Sequence, residues 1–108
     1  MKRFEVIADN EAEDDLFDIY SYVALNDSFE SADQLLHGLK RACLSLRTLP
    51  LRGHNLPELR SIKVGQFREI RHKPYRIIYS IEGEAVIIHC ILDGRRDLQE
   101  LLEERLLR

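Results

Sequence analysis

Five arginines, Arg68, Arg71, Arg76, Arg95 and Arg96, fall within residues 67–97, "FREIRHKPYRIIYSIEGEAVIIHCILDGRRD", among apolar runs. A guanidinium offers five donors in a planar fork and stays protonated at every working pH. Inside an apolar strand it needs an anion, because an unpaired charge loses its hydration there. Three kinds of anion are open: a structural carboxylate, a phosphate, or an acidic surface of another protein. For Arg76 the structural choice is Glu69 across a hairpin. Arg68, outward on a neighbouring strand, is expected to share a patch with Arg76. Arg95 and Arg96 precede a helix start, where cations oppose the dipole. That misfit points to function, although Asp93 and Asp97 stand ready to neutralise both.

Other chemistry is thinly represented. His89 lies within an apolar strand and reads as a hydrogen-bonded core or edge residue; His54 and His72 read as loop and turn residues. No His/Cys/Asp set has metal spacing and no Ser-His-Asp set stands out, so neither a metal nor a cofactor is expected. Cys43 and Cys90 sit in apolar periodic surroundings and read as reduced, buried thiols. The run "EAEDD" reads as a solvated helix start.

With 108 residues, 44% of them hydrophobic, and a net charge of -3, the chain is expected to form one domain over 1–108. No apolar window is long enough to span a bilayer, and charges interrupt "MKRFEVIADNEAEDD" where a signal peptide needs its apolar centre. A cytoplasmic location is therefore expected. Charge is unevenly spread. Residues 1–40 hold three basic and ten acidic residues, residues 41–81 nine and two, and residues 82–108 four and seven. A basic middle between acidic ends predicts a localised anion-facing surface.

The elements that position these residues follow from periodicity. "RFEVIA" (3–8) reads as a strand, and Asp9 or Asn10 caps a helix with Ala12, Leu16, Ile19, Tyr20 and Val23 as its stripe. "ALNDS" (24–28) breaks that helix. Asp27 and Glu30 form a capping box for a second one, whose stripe runs Ala32, Leu35, Leu36, Leu39, Ala42, Cys43, Leu46, Leu49 until Pro50. The two should pack as an antiparallel hairpin. Residues 50–59 read as a loop. "SIKV", "FREIR", "YRIIYSI" and "AVIIHCIL" read as a β-meander with the last strand central. Asp97 and Glu100 box the start of a final helix bearing Leu98, Leu101, Leu102 and Leu106. The fold class is α+β: an N-terminal strand, a helical hairpin, an antiparallel meander and a C-terminal helix. The helical stripes carry more apolar surface than one sheet face obviously covers.

The ordered set A-x-x-D-L-x-x-I-x-x-Y (12–22), L-P-x-R-G (49–53), F-R-E (67–69), Y-R-I-I-Y (75–79) and L-D-G-R-R-D (92–97) resembles the RelE/ParE superfamily of bacterial toxins. The likeness covers nearly the whole chain and is greatest to the ParE, or plasmid-stabilisation, branch. It implies a toxin of a type II toxin–antitoxin pair, bound by a small ParD-like antitoxin in a higher-order complex, with no membrane involvement. It implies an antitoxin surface on the helical hairpin, over Leu16, Phe17, Tyr20, Leu35 and Leu39, and a target surface over Arg68, Arg71, Arg76, Arg95 and Arg96. Two poisons are implied: binding DNA gyrase or another topoisomerase, or cutting messenger RNA on the ribosome. For the second, Arg68, Arg76 and Arg96 match phosphate-holding positions. Ile70 and Leu102 stand where ribonuclease members carry a basic residue and an aromatic or histidine. Binding without catalysis is therefore the expected mode; a ribosome-dependent endoribonuclease and a degenerate, antitoxin-binding member are the alternatives.

Overall fold

The computed structural model describes residues 2–62 and 66–108. In chain order these form β1 (Glu5–Ala8), α1 (Asn10–Asn26), α2 (Phe29–Leu44), β2 (His54–Asn55), β3 (Phe67–His72), β4 (Tyr75–Glu82), β5 (Ala85–Asp93) and α3 (Gln99–Leu106). The strands make one sheet in the order β1-β5-β4-β3-β2. β3, β4 and β5 are the expected antiparallel meander, whereas β1 lies parallel to β5 with Glu5 opposite Ala85. The α+β architecture read from periodicity is the one observed.

Several boundaries differ, each for a local reason. α1 starts where Asp9 accepts a hydrogen bond from the Ala12 N–H at 2.9 Å. Ser28, not Asp27, caps α2 by accepting from the Ser31 N–H at 3.0 Å, because Asp27 is taken as the C-cap of α1, its N–H bonded to the Val23 carbonyl. α2 stops at Leu44, short of Pro50: Ser45 donates its hydroxyl to the Ala42 carbonyl at 2.6 Å and the chain tightens into a 3₁₀ turn over Ser45–Arg47. The expected 50–59 loop contains β2 between 3₁₀ turns at Pro50–Arg52 and Pro57–Ile62. The strand expected at "SIKV" is not formed at its first two residues, which end that second turn; its remainder, with Gly65, lies outside the described residues. At α3 the cap is Leu98 rather than an Asp97–Glu100 box: Leu98 is 1% exposed, so core burial fixes its place, and Asp97 accepts instead from the Gln99 N–H at 3.1 Å.

β4, not β5, is the central strand, and residues 76–80 of it are all buried. The sheet is covered on both faces. On one side α1, α2 and the 3₁₀ turn after it pack Ala12, Leu39 and Leu46 against Ile70, Ile77, Tyr79, Val86, Ile88 and Ile91. On the other, α3 and the 57–62 turn lay Leu56, Leu59, Leu98 and Leu102 over Phe67, Ile78, Cys90 and Leu92. Full burial of one such Leu or Ile is worth about 1.5–3 kcal/mol relative to exposure. A bulge between Ile78 and Tyr79 pairs them with Cys90 and Ile88, leaving His89 as the extra residue. His89 stands edge-on to Phe67 with its Nε2 2.8 Å from the Ser80 Oγ and its Nδ1 3.3 Å from Asp9, the hydrogen-bonded role expected of it.

Candidate functional site

The tight β3–β4 turn sets Arg71 opposite Arg76 and Arg68 opposite Tyr79. Directly opposed residues share a face, so Arg68 lies on the helical-hairpin side and Arg76 on the α3 side. The shared patch expected for these two is not formed, because the register puts one residue of parity between them.

Arg76 is 4% exposed and sits in a carboxylate clamp. Its Nε and Nη2 donate to Glu69 at 3.1 and 2.6 Å, and its Nη1 and Nη2 donate to Glu58 at 2.6 and 2.8 Å. Glu69 on β3 is the cross-strand partner expected from sequence. Glu58, brought in by the 57–62 turn, is the one sequence reading missed. The guanidinium beside Glu58 holds that carboxyl below its ordinary range, and the two carboxylates hold Arg76 firmly protonated. Arg71, on the same face but exposed, reaches Glu69 with its Nε at 3.4 Å. Gln99 of α3 donates to the Glu58 carbonyl at 2.8 Å, so the clamp also seats the C-terminal helix.

Arg68 is held less fully, through one nitrogen and by neutral carbonyls. Its Nη1 donates to the Gly53 carbonyl at 2.9 Å and more weakly to that of Leu51 at 3.4 Å. Beside it the buried Tyr79 hydroxyl donates to the Pro50 carbonyl at 2.6 Å and accepts from the Gly53 N–H at 3.0 Å. A Cβ on Gly53 would stand 2.5 Å from that hydroxyl and 2.7 Å from the Glu69 carbonyl, so only glycine fits. The motif residues of L-P-x-R-G, F-R-E and Y-R-I-I-Y thus meet as a frame that pins the 50–53 turn to the sheet.

Arg95 and Arg96 are both exposed, just after β5. Arg95 donates from Nε and Nη2 to Asp93 at 3.0 and 2.7 Å, the neutralisation foreseen, and this holds the Asp93 carboxyl down to about 2. The Arg96 side chain has no carboxylate within 4.0 Å among the described residues. The two line a shallow cleft of about 490 Å³ with Tyr22 of α1, Tyr75 of β4 and Leu101 and Arg105 of α3. Of the five arginines, the structure leaves Arg71, Arg95 and Arg96 at the surface and ties Arg68 and Arg76 internally.

The surplus helical apolar surface resolves into a groove of about 670 Å³ between α1 and α2, floored by Val6, Ala8, Ile88 and Ile91. Leu16, Phe17 and Tyr20 line it, with Phe17 70% exposed. Leu35 and Leu39 do not: Leu39 is core and Leu35 packs against it. The α2 wall is Leu36, Lys40, Cys43 and Leu44, one residue round the helix. The i, i+4, i+7, i+8 spacing of those four in the sequence was the available signal. Burial pushes the Cys43 thiol up to about 11 and the Cys90 thiol up to about 12.

Comparison with known proteins fits this arrangement. A family model described as the ParE toxin of the type II toxin–antitoxin system parDE matches residues 6–98. Among solved structures, a chain of the chromosomal ParDE toxin–antitoxin system from P. aeruginosa superposes with a TM-score of 0.71 at 17% identity, covering 84% of this chain and 96% of that one. A chain of the RelBE2 toxin–antitoxin complex from Mycobacterium tuberculosis superposes with a TM-score of 0.64 at 21% identity, covering 86% and 93%. Comparison with curated proteins finds no match. At these identities the structural likeness speaks for the fold, while the family match spans most of the chain. The chain belongs to the ParE toxin family of type II toxin–antitoxin systems, within the RelE/ParE superfamily.

Proposed function

We propose that this protein is a toxin that acts by binding rather than catalysis, inhibiting DNA gyrase or another topoisomerase in the cytoplasm, and that a ParD-like antitoxin neutralises it. The observation that carries the non-catalytic reading is the occupation of Arg76. A phosphate-holding guanidinium must be free to meet its phosphate, whereas this one is bonded to two carboxylates of its own chain. Ile70 and Leu102, at the positions where ribonuclease members place proton-transfer groups, are core residues. Arginine is in any case a poor proton donor or acceptor.

The target surface is centred on Arg95 and Arg96, beside the cleft that Tyr22 and Tyr75 line, and the exposed Arg71 of β3 is a further contact. Aromatic side chains next to an exposed arginine are the composition that protein interfaces favour. The antitoxin occupies the α1–α2 groove, placing apolar side chains over Leu16, Phe17, Tyr20, Leu36 and Leu44. The P. aeruginosa and M. tuberculosis neighbours come from toxin–antitoxin complexes, which supports a partner of this kind.

The deciding experiment follows thymidine and methionine incorporation together, shortly after induction of this protein in bacteria lacking its antitoxin. Early loss of DNA synthesis with translation continuing is expected, and Arg95→Glu with Arg96→Glu should relieve it while leaving the circular dichroism melt in place. Early loss of translation, with cleaved messages on primer extension, overturns the binding reading in favour of ribosomal cleavage. Loss of neither overturns it in favour of a degenerate toxin that only binds antitoxin.

A further inference from the structure

From residue 34 to residue 57 the chain contains no aspartate or glutamate, while Lys40, Arg41, Arg47 and Arg52 all fall within it and are all exposed. None of the four has a carboxylate within 4.0 Å among the described residues. By contrast Arg71, Arg76, Arg95, Arg105 and Arg108 each meet one. Lys40 and Arg41 are neighbours, and the other two follow along the chain. His37, Lys40, Arg41 and Leu44 form one stripe on α2, bordering a shallow depression with Gln34. The seven-residue rise from His37 to Leu44 is about 10 Å. Arg47 follows one turn later.

The turn beyond is held in place rather than loose. The Arg47 carbonyl accepts from the Phe4 N–H at 2.8 Å, and the Arg52 Nη2 donates to the Ser45 Oγ at 2.9 Å. These anchors fix where Arg47 and Arg52 leave the backbone, while most of each guanidinium's donors stay open to solvent.

We infer that this outward face of α2, with Arg47 and Arg52, binds the phosphate backbone of duplex DNA. It adjoins the α1–α2 groove, sharing Lys40 and Leu44 on the rim, lies apart from the Arg95–Arg96 surface, and does not rest on the topoisomerase reading. An acidic protein segment is the competing occupant, and the composition of the face disfavours it. Protein interfaces concentrate aromatic anchors and shed lysine at their core, whereas DNA-binding faces are polar and strongly cationic. This stripe has no Phe, Tyr or Trp, its one ring being the His37 imidazole, and Leu44 is its one apolar member, at 45% exposure. With no Phe, Tyr or Trp to stack on bases, contacts are mainly to phosphates, so binding depends little on sequence. The net charge of -3 does not oppose this: Asp33 on α2 and Glu13 across the groove border the face without pairing with its cations, and charge beyond about 8–10 Å is screened at ordinary salt.

The test is fluorescence anisotropy of the full chain with a labelled mixed-sequence DNA duplex over a salt series. Four phosphates neutralised give a slope of log Kobs against log salt of about -3.6, an affinity loss of about 150-fold between about 50 and 200 mM. Lys40→Glu with Arg41→Glu removes two of the contacts, and the same salt change then costs at most about 12-fold. Both residues are exposed and unpaired, so the thermal melt of the double variant should match that of the parent, which separates lost binding from lost folding. A salt dependence no steeper than one phosphate, or a double variant that binds like the parent, overturns the inference. Tighter binding of a poly-glutamate peptide than of the duplex, at equal salt, overturns it in favour of an acidic protein partner.

Discussion

Arg76→Met keeps the aliphatic stem of a central-strand residue and removes only its guanidinium. Glu69, 2% exposed, is then left with the Arg71 Nε at 3.4 Å as its nearest cation, and Glu58 loses both of its close donors. Breaking a buried ion pair from one side costs about 3–5 kcal/mol, because the remaining carboxylate is buried without compensation. Partial hydration of Glu58, whose side chain is 16% exposed, and a swing of Arg71 towards Glu69 place the expected loss near about 4 kcal/mol. At about 4 °C or more per kcal/mol for a domain of this size, the melting temperature falls by roughly 15 °C or more. Equilibrium urea unfolding followed by circular dichroism measures the difference directly. Its pH dependence is the sharper check. The Arg76 guanidinium holds the Glu58 carboxyl below its ordinary value of 4.5. A depressed carboxylate contributes stability fully present above its unfolded-state pKa and lost as pH falls through the folded one. The parent should therefore lose stability on acidification below about pH 4.5, and the variant, having lost the clamp already, should lose less. The gap between them narrows in acid. A difference under about 1 kcal/mol at neutral pH, or one that stays constant or widens in acid, would refute the clamp as the reason Arg76 is buried.

Three further outcomes follow from the same geometry. Tyr79→Phe removes the acceptor of the Gly53 N–H and the donor to the Pro50 carbonyl, and should cost about 1–3 kcal/mol in urea unfolding. Gly53→Ala drives a Cβ into the Tyr79 hydroxyl and the Glu69 carbonyl, and should cost about 1–3 kcal/mol in the same assay, the clash outweighing the smaller gain from reduced freedom of the unfolded chain. Because burial raises Cys43 to about 11 and Cys90 to about 12, iodoacetamide labelling of both at pH 8 should be slow and should quicken about tenfold per pH unit up to those values. Mass spectrometry of the modified peptides reads each site, and an antitoxin peptide seated in the groove should slow Cys43 labelling and leave Cys90 unchanged.

The helices and the meander were legible because burial on one face imposes its period on the residues. The stripes through Ala12, Leu16 and Ile19 and through Leu35 and Leu39, and the alternation of Tyr75, Ile77 and Tyr79, meet in one core, whereas Leu49, the expected end of the second stripe, is 59% exposed beyond the helix. The Arg76–Glu69 pair was legible too, since a tight hairpin leaves only a few cross-strand neighbours in reach. Caps and ends were less so. Asp27 and Ser28 are both good caps, and the choice fell to which of them the preceding helix used as its own terminus.

What local pattern could not supply was anything set by contacts distant along the chain. The parallel seat of β1 on β5, Glu58 completing the Arg76 clamp, and the carbonyls that occupy Arg68 each join residues 15 or more positions apart. The fate of each arginine was likewise decided in three dimensions. Residue type specifies that a guanidinium needs an anion or an acceptor, but only the packed sheet determines whether its own chain already provides one. Here register and packing give Arg76 two carboxylates and Arg68 two carbonyls, and leave Arg96 and the α2 cations facing solvent. A charge that the fold has already satisfied has little left to offer a partner, and one that it has not remains free to bind.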